Sequence, residues 1–533
     1  RTKMSEQVGE KVDYRLSAEY ESRFGKFLLP QKQYSQQYNA LYILRLKQCK
    51  DMLRNQVLLK WGTTVKVLEE IIDVETVEAE NTMDYVLMGT IYKDMALRGS
   101  VLDEFKENNG ISGGVQSVYH IASLTDQLIL EDESGRVSLG GAISPHRLVT
   151  GVTMAVRGSV CAEDLGVFQV KDCIFCHESE LDSMNPSTPL SPDDNTVTSK
   201  PVESPLDRPN SKFLMLISGL QIGSDKYQDA PSNGNDVDPL TLSPSSTSYR
   251  LLISFLAGRL GGGGRDRDLA RQIVRVIIAG DSVAPHDASS TAIKEKTKSG
   301  LSSAAAVSAA AASRQLDLLL AQVLDSCPID LMPGSLDPCN LNLPQQPLHP
   351  CLFPHSCRFN TFQRVTNPYE ACLDSKVILG HAGQPVADIA RQILPDSTAV
   401  NSDSSSSSSA PSCLDILEDT LRWGHLCPTA PDTLPCHPFP PLQLGGDPFV
   451  LHSLPDVIFA ANQPIFATRL KRFQLQQQGE PMEVDSHSSS SGSSSSNSKA
   501  VRLICVPVFA DSGMVVLVDL SSPTLDSFVI EFK

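Results

Sequence analysis

Apolar and polar positions alternate over Asp84 to Asp94 (DYVLMGTIYKD), with β-branched and aromatic side chains, and predict a strand. Gln127 to Gly140 (QLILEDESGRVSLG) predicts a hairpin that turns at Glu133-Ser134-Gly135. Val149 to Cys161 and Gly166 to Cys176 predict further strands. Ahead of them, Tyr34 to Leu68 places Tyr38, Leu41, Tyr42, Leu44 and Leu46 at helical spacing. Beyond residue 210 the pattern changes to short, largely apolar runs. Phe213 to Ser218 is one, Val274 to Asp281 another, and Ile329 to Gly334 a third, with an amphipathic helix predicted over Gln315 to Leu324. The tail returns to strands at Val501 to Val508 and Met514 to Leu520.

The two patterns predict two architectures. Closely spaced strands with glycine in several of them suggest a small closed barrel, and five such strands suit an OB-fold. Short apolar runs separated by helices suggest parallel strands buried on both faces. The fold class is therefore all-β joined to α/β.

Low-complexity segments divide the chain. Residues 1–37 read as a helical or irregular lead-in, 38–178 as a helix-led OB-fold domain, 179–210 as a disordered linker and 211–533 as one further domain. Insertions near 229–248, 285–300, 401–412 and 476–498 are rich in Ser, Pro, Gln or charge and cannot offset their ordering entropy. The four glycines from Gly261 to Gly264 precede Arg265-Asp-Arg-Asp rather than Lys-Ser/Thr, so they form no phosphate loop.

Composition narrows the function. The 533 residues carry 45 Lys and Arg against 62 Asp and Glu, a net charge of −17 that argues against a surface given over to nucleic acid. No run of about 18 apolar residues exists to span a bilayer as a helix. The 13 scattered cysteines fit reduced thiols better than a disulfide scaffold. The chain begins with Arg1 and not Met, which reads as the start of a fragment.

Each apolar strand of the second domain ends in a glycine-containing loop, where α/β sheets do their polar work. Ser218-Gly-Leu220, Gly280-Asp281 and Gly334-Ser335-Leu336-Asp337, with a later Ala461-Asn462-Gln463-Pro464, form a succession that resembles the calcineurin-like metallophosphoesterases. That family holds two metals with Asp-x-His, Gly-Asp-x-x-Asp, Gly-Asn-His-Asp/Glu and Gly-His-x-His. Here Ser218 and Leu220 replace the first pair, Ala284 the second motif's later acid, Ser335 and Leu336 the amide and imidazole, and Asn462 and Pro464 the last histidines. Asp281 and His425 remain as donors, too few for a dinuclear site. The pattern implies an inactivated phosphoesterase-like αββα sandwich without metal or cofactor.

Four longer strings carry a more specific likeness. Pro344-Gln-Gln-Pro347-Leu-His349-Pro-Cys-Leu-Phe353-Pro354, Thr366-Asn367-Pro368-Tyr369, Gly380-His-Ala-Gly-Gln384 and Pro428-Thr-Ala-Pro431-Asp432-Thr-Leu434 resemble the B-subunit family of the replicative DNA polymerases, its delta branch most of all. The likeness runs from about Leu29 to the C-terminus and departs from the family pattern in the insertions and at Ala461, where a glycine is expected. It implies a nuclear, non-catalytic scaffold for DNA replication and repair. Its partners would be the Cys-rich C-terminal module of the polymerase's catalytic subunit and a third subunit, with DNA engaged only through the complex. Pro347, His349, Phe353, Asn367, Pro368, Tyr369, Pro431 and Asp432 are the partner-binding candidates.

Plainer readings hold for the remaining motifs. Cys173-Ile-Phe-Cys176-His177 lacks a second CxxC and reads as structural thiols rather than a zinc or haem site. Tyr85, Tyr92, Lys93 and Arg98 give the barrel only a thin nucleic-acid signature beside Glu131, Asp132 and Glu133, so a protein-binding barrel is favoured. The rival functions are a metal-dependent phosphoesterase or 3′–5′ exonuclease and a single-strand DNA binder. Arg469-Leu-Lys-Arg472 is the basic cluster nearest to an import signal.

Overall fold

The computed structural model describes residues 15–29, 37–76, 83–98, 120–160, 166–178, 211–224, 247–260, 264–284, 303–394, 412–438, 445–474 and 498–532. The linker 179–210 and the insertions at 229–248, 285–300, 401–412 and 476–498 fall outside them, but for one or two residues at an end. Those end residues open regular elements: Thr247 a helix and Ser498 a strand, while Ser412 caps a helix with its own side chain.

Strand β1 (Tyr20–Ser22) comes first, followed by helix α1 (Asn39–Trp61). The helix is shorter than the apolar spacing predicts because Gly62, in the left-handed region at φ 74°, turns the chain and donates its N–H to the Leu58 carbonyl at 3.1 Å. Its buried face, including Cys49, Met52, Leu53 and Val57, shares a core cluster with Val86, Met88 and Ala155 of the barrel strands.

The barrel strands are β2 (Lys66–Val67), β3 (Tyr85–Asp94), β4 (Gln127–Glu131), β5 (Arg136–Gly141), β6 (Thr153–Val160) and β7 (Val167–Ile174). They run in the order β2-β3-β4-β5-β7-β6, and β6 also pairs with β3. The predicted hairpin is present as β4–β5, its turn held by Asp132, whose carboxylate accepts the N–H groups of Ser134 at 2.8 Å and Gly135 at 3.2 Å.

The second region contains β8 (Phe213–Ile217), α2 (Thr247–Leu256), α3 (Gly264–Gln272), β9 (Ile273–Ala279), α4 (Ser303–Ala321), β10 (Ile329–Met332) and β11 (Phe362–Arg364). It continues with β12 (Tyr369–Leu373), β13 (Lys376–His381), α5 (Gln384–Gln392), α6 (Cys413–Trp423), β14 (Val457–Gln463), β15 (Ala467–Gln474), β16 (Ser498–Pro507), α7 (Phe509–Ser512), β17 (Met514–Asp519) and β18 (Ser527–Glu531). Two six-stranded sheets result, ordered β11-β10-β9-β8-β17-β18 and β1-β12-β13-β14-β16-β15. Strands β8 to β11 pair in parallel, and β8, β9 and β10 are buried at every residue, as their apolar runs predict, with Arg275 of β9 and Asp330 of β10 buried as an ion pair.

The sheets share one core: Leu214, Leu216, Ile277 and Met332 of one meet Ile378, Phe459, Ile504 and Val506 of the other. Helices α2 and α4 cover the outer face of the first sheet, and α5 and α6 that of the second. The second outer layer runs without a break into the barrel interior, so Leu87, Ile91 and Leu130 belong to the same cluster as Ile389, Leu417 and Leu503. Barrel and sandwich are thereby packed as one body. No helix among the described residues is long and apolar enough to cross a membrane.

The lead-in over 1–37 contains a strand where helical or irregular structure was expected. Tyr20, Glu21 and Ser22 pair antiparallel with Leu373, Cys372 and Ala371, far away in the chain.

Candidate functional site

The glycine loops after β8, β9 and β10 meet the ends of β13 and β14 in a single knot. Gly219 N–H donates to the Gly280 carbonyl and Gln221 N–H to that of Asp281, both at 3.0 Å. A Cβ on Gly280 would collide with Ala382 and press on Gly334, so glycine is required there for the loops to touch. Asn462 Nδ2 donates to the carbonyls of Ala382 at 2.9 Å and Ala279 at 3.4 Å, while Asn462 N–H reaches Ser218 Oγ at 3.0 Å. Ser218 Oγ in turn donates to the Pro507 carbonyl at 3.0 Å.

Within this knot the acids brace backbone. Asp281 Oδ1 accepts Leu336 N–H at 2.8 Å and the Ser335 hydroxyl at 3.2 Å. Asp337 accepts Val283 N–H at 2.9 Å through Oδ1 and Gly334 N–H at 2.8 Å through Oδ2. Burial raises the pKa of Asp281, and burial together with the nearby Asp281 charge pushes Asp337 up to about 7. Asp281 and Asn462 both occupy the left-handed region, at φ 53° and 56°, a conformation short polar side chains tolerate better than most. Among the described residues, no group of three His, Cys, Asp or Glu side chains is placed to hold a metal ion.

The candidate positions separate on folding. Ser218, Asp281, Ser335, Leu336, Asp337 and Asn462 come together. Leu220 turns inward, 5 % exposed, into the core beneath α2 and α4, and Pro464 projects outward. His425 belongs elsewhere, paired with a carboxylate. Its Nδ1 accepts Cys427 N–H at 3.0 Å, so Nε2 carries the proton and donates to Asp447 Oδ2 at 3.0 Å. Burial, reinforced by Arg45, lowers its pKa to about 4 and keeps it neutral. The histidine at the knot is instead His381, at the end of β13, 1 % exposed and likewise lowered to about 4 by burial; its Nδ1 accepts Gly383 N–H at 3.1 Å. The string Gly380 to Gln384 contained it, but nothing in that string distinguished it from His425.

Asp447 is the centre of the seam between barrel and sandwich. Arg45 of α1 donates from Nε to Asp447 Oδ2 at 2.7 Å and from Nη1 to the Pro428 carbonyl at 3.1 Å, with both side chains buried. The same carbonyl faces Gly151, where any Cβ would overlap it. Lys93 of β3, also buried, reaches the Gln392 carbonyl at 2.6 Å and Asp126 at 3.4 Å.

The partner-binding candidates divide by exposure. Phe353, Asn367 and Tyr369 are fully buried and Pro368 is buried, so these four side chains pack within the fold. Asn367 Nδ2 donates to Gln345 Oε1 at 2.7 Å and to Gln384 Oε1 at 3.1 Å, and its Oδ1 accepts Ala382 N–H at 3.0 Å. Gln345 Nε2 donates to the Gly334 carbonyl at 3.0 Å. Three of the four recognised strings thus interlock as an amide frame behind the knot. His349 is exposed, and Pro347, Pro431 and Asp432 are half-buried.

A family model for the B-type subunits of DNA polymerases alpha and epsilon matches residues 215–468, and one described as DNA polymerase delta subunit OB-fold domain matches residues 37–173. Both describe accessory chains of replicative polymerases. The chain is 33% identical over 515 residues to the DNA polymerase delta small subunit of Oryza sativa subsp. japonica, covering 95% of this chain and 96% of that one. It is 33% identical over 520 residues to the DNA polymerase delta subunit 2 of Drosophila melanogaster, covering 97% and 98%. It is 28% identical over 525 residues to the DNA polymerase delta small subunit of Saccharomyces cerevisiae, covering 94% and 90%. The chain belongs to the family of DNA polymerase delta small subunits.

Proposed function

We propose that this chain is the non-catalytic scaffold of a DNA polymerase delta holoenzyme. It joins an OB-fold barrel, closed by the β3–β6 pairing, to a phosphoesterase-like sandwich that no longer performs hydrolysis. One observation carries the reading: the carboxylate oxygens of Asp281 and Asp337 are already engaged by backbone N–H and hydroxyl donors. Acids used in this way hold loops together instead of metal ions. The polymerase's catalytic subunit, through its Cys-rich C-terminal module, and a third subunit are the partners, and bridging them makes the second binding event effectively intramolecular. DNA is engaged through the complex, in replication and repair, and the site of action is the nucleus.

Exposed and half-exposed candidates, His349, Pro347, Pro431 and Asp432, are the ones available to a partner. Co-purification with the catalytic subunit tests the scaffold directly and should succeed from a chain carrying Asp281→Ala. Incubation of the purified chain with manganese and an end-labelled DNA strand should release no nucleotide. Metal-dependent hydrolysis that disappears in Asp281→Ala would replace the scaffold by an exonuclease.

A further inference from the structure

Residues 15–29 meet the rest of the chain as a peptide meets a groove, extended through Tyr20–Ser22 and wound into one 3-10 turn at Phe24–Phe27. At one end, the Arg15 guanidinium donates to the carbonyls of Leu256, Ala270 and Ile273, two of which lie at the ends of α2 and α3 where helical carbonyls lack partners. Leu16 N–H donates to the Arg271 carbonyl at 2.9 Å. In the middle, β1 adds to the open edge of β12, and Tyr20 hydroxyl donates to Gln363 Oε1 at 2.7 Å while the Arg275 guanidinium lies 3.5 Å from its ring centre. Further on, Phe24 packs 5.8 Å from Tyr369, and Phe27, fully buried, stacks 6.3 Å from Phe449. At the far end Gln346 clasps the backbone, accepting Leu29 N–H and donating to the Phe27 carbonyl, both at 3.0 Å.

Every one of these partners lies more than 200 positions along the chain, so the segment is held by long-range contacts, with one local 3-10 turn at Phe24–Phe27. Main-chain pairing to a sheet edge, with side chains seated in separate pockets, is how sheets recognise extended peptides. A short tether supplies an effective concentration in the millimolar range, so even a micromolar groove would stay filled in cis.

We propose that this groove is a peptide-binding site occupied by the chain's own N-terminal segment. It recognises a strand followed by a 3-10 turn, with arginine, tyrosine and two phenylalanines at the spacing of Arg15, Tyr20, Phe24 and Phe27, and holds it by non-covalent contacts. The edge of β12 is therefore a docking surface with a built-in, exchangeable occupant.

The test keeps the full chain. A protease recognition sequence replaces residues 31–35, and the purified protein is cut after folding. The N-terminal fragment should stay with the body through gel filtration and be displaced by excess fluorescent peptide of residues 15–29, followed by anisotropy. Arg15→Ala and Phe27→Ala in that peptide should each weaken binding about tenfold or more, and a scrambled peptide should not bind. Two results would overturn the proposal. One is a body that stays folded, loses the fragment and fails to bind the peptide. The other is loss of cooperative unfolding as soon as the tether is cut, which would make the segment part of the core and no ligand.

Discussion

At the seam, Asp447 faces Arg45 and His425, and at the strand-end knot, Asp337 faces backbone N–H groups with Asp281 as its charged neighbour. Both side chains are buried, yet they titrate in opposite directions. The guanidinium holds Asp447 well below the usual carboxylate range, whereas Asp337 rises to about 7. Desolvation acts on both, and only the cation overcomes it. The seam thus spends its charge on joining two domains, while the knot keeps acids in a place that repels their ionised form. At the knot, backbone N–H groups are the donors that Asp337 accepts from.

The largest expected effect breaks the seam. Asp447→Ala leaves the Arg45 guanidinium buried without its counter-charge and should cost about 3–5 kcal/mol in denaturant unfolding. Combining Arg45→Met with Asp447→Leu should restore most of that loss, because the apolar pair has nothing left to desolvate. At the knot, Asp281→Ala removes the acceptor of Leu336 N–H and the Ser335 hydroxyl and should cost less, about 1–3 kcal/mol by the same measurement. Equal losses at the two sites would erase the contrast.

A smaller effect is read by pH. Asp337 binds its proton more tightly in the folded chain than in the unfolded one, so its contribution to stability grows as pH falls through about 7. His381 and His425, lowered to about 4, act the other way and cost stability as pH falls below the unfolded value of about 6.5. Relative to Asp337→Asn, the unmodified chain should therefore gain about 1 kcal/mol between pH 8 and pH 6. A difference that is flat with pH would place Asp337 among ordinary ionised carboxylates. Smallest of all, His349→Ala should change stability by less than about 0.5 kcal/mol, since the side chain is exposed. Any change in how that variant captures the polymerase's catalytic chain would then report binding alone.

The strands were legible where burial is one-sided or complete. Burial over Tyr85–Asp94 is continuous to Gly89 and alternates from Thr90 onward, and the apolar runs at Phe213–Ile217 and, but for Arg275, Ile273–Ala279 follow from the environment each strand enters. The knot was legible too, because glycines that let loops touch are visible as letters. Strand β1 was not: Tyr-Glu-Ser carries no period, and its strand character comes from β12, some 350 positions away. The exchange of His425 for His381 was equally hidden, since both sit beside glycine in the chain. Burial within the strings also escaped the letters: Phe353, Asn367 and Tyr369 are buried while His349 is exposed, and that division depends on distant packing.

The amino-acid order by itself determined the strand patterns of the two regions and the glycine loops at the strand ends, because each depends on residue type at short spacing. Tertiary structure alone decided where the buried charges find their partners. Arg45 and Asp447 are separated by some 400 positions, and each acquires its role only when the other arrives. Solvation energy is local to a residue, but its compensation depends on whatever the fold brings within hydrogen-bonding reach.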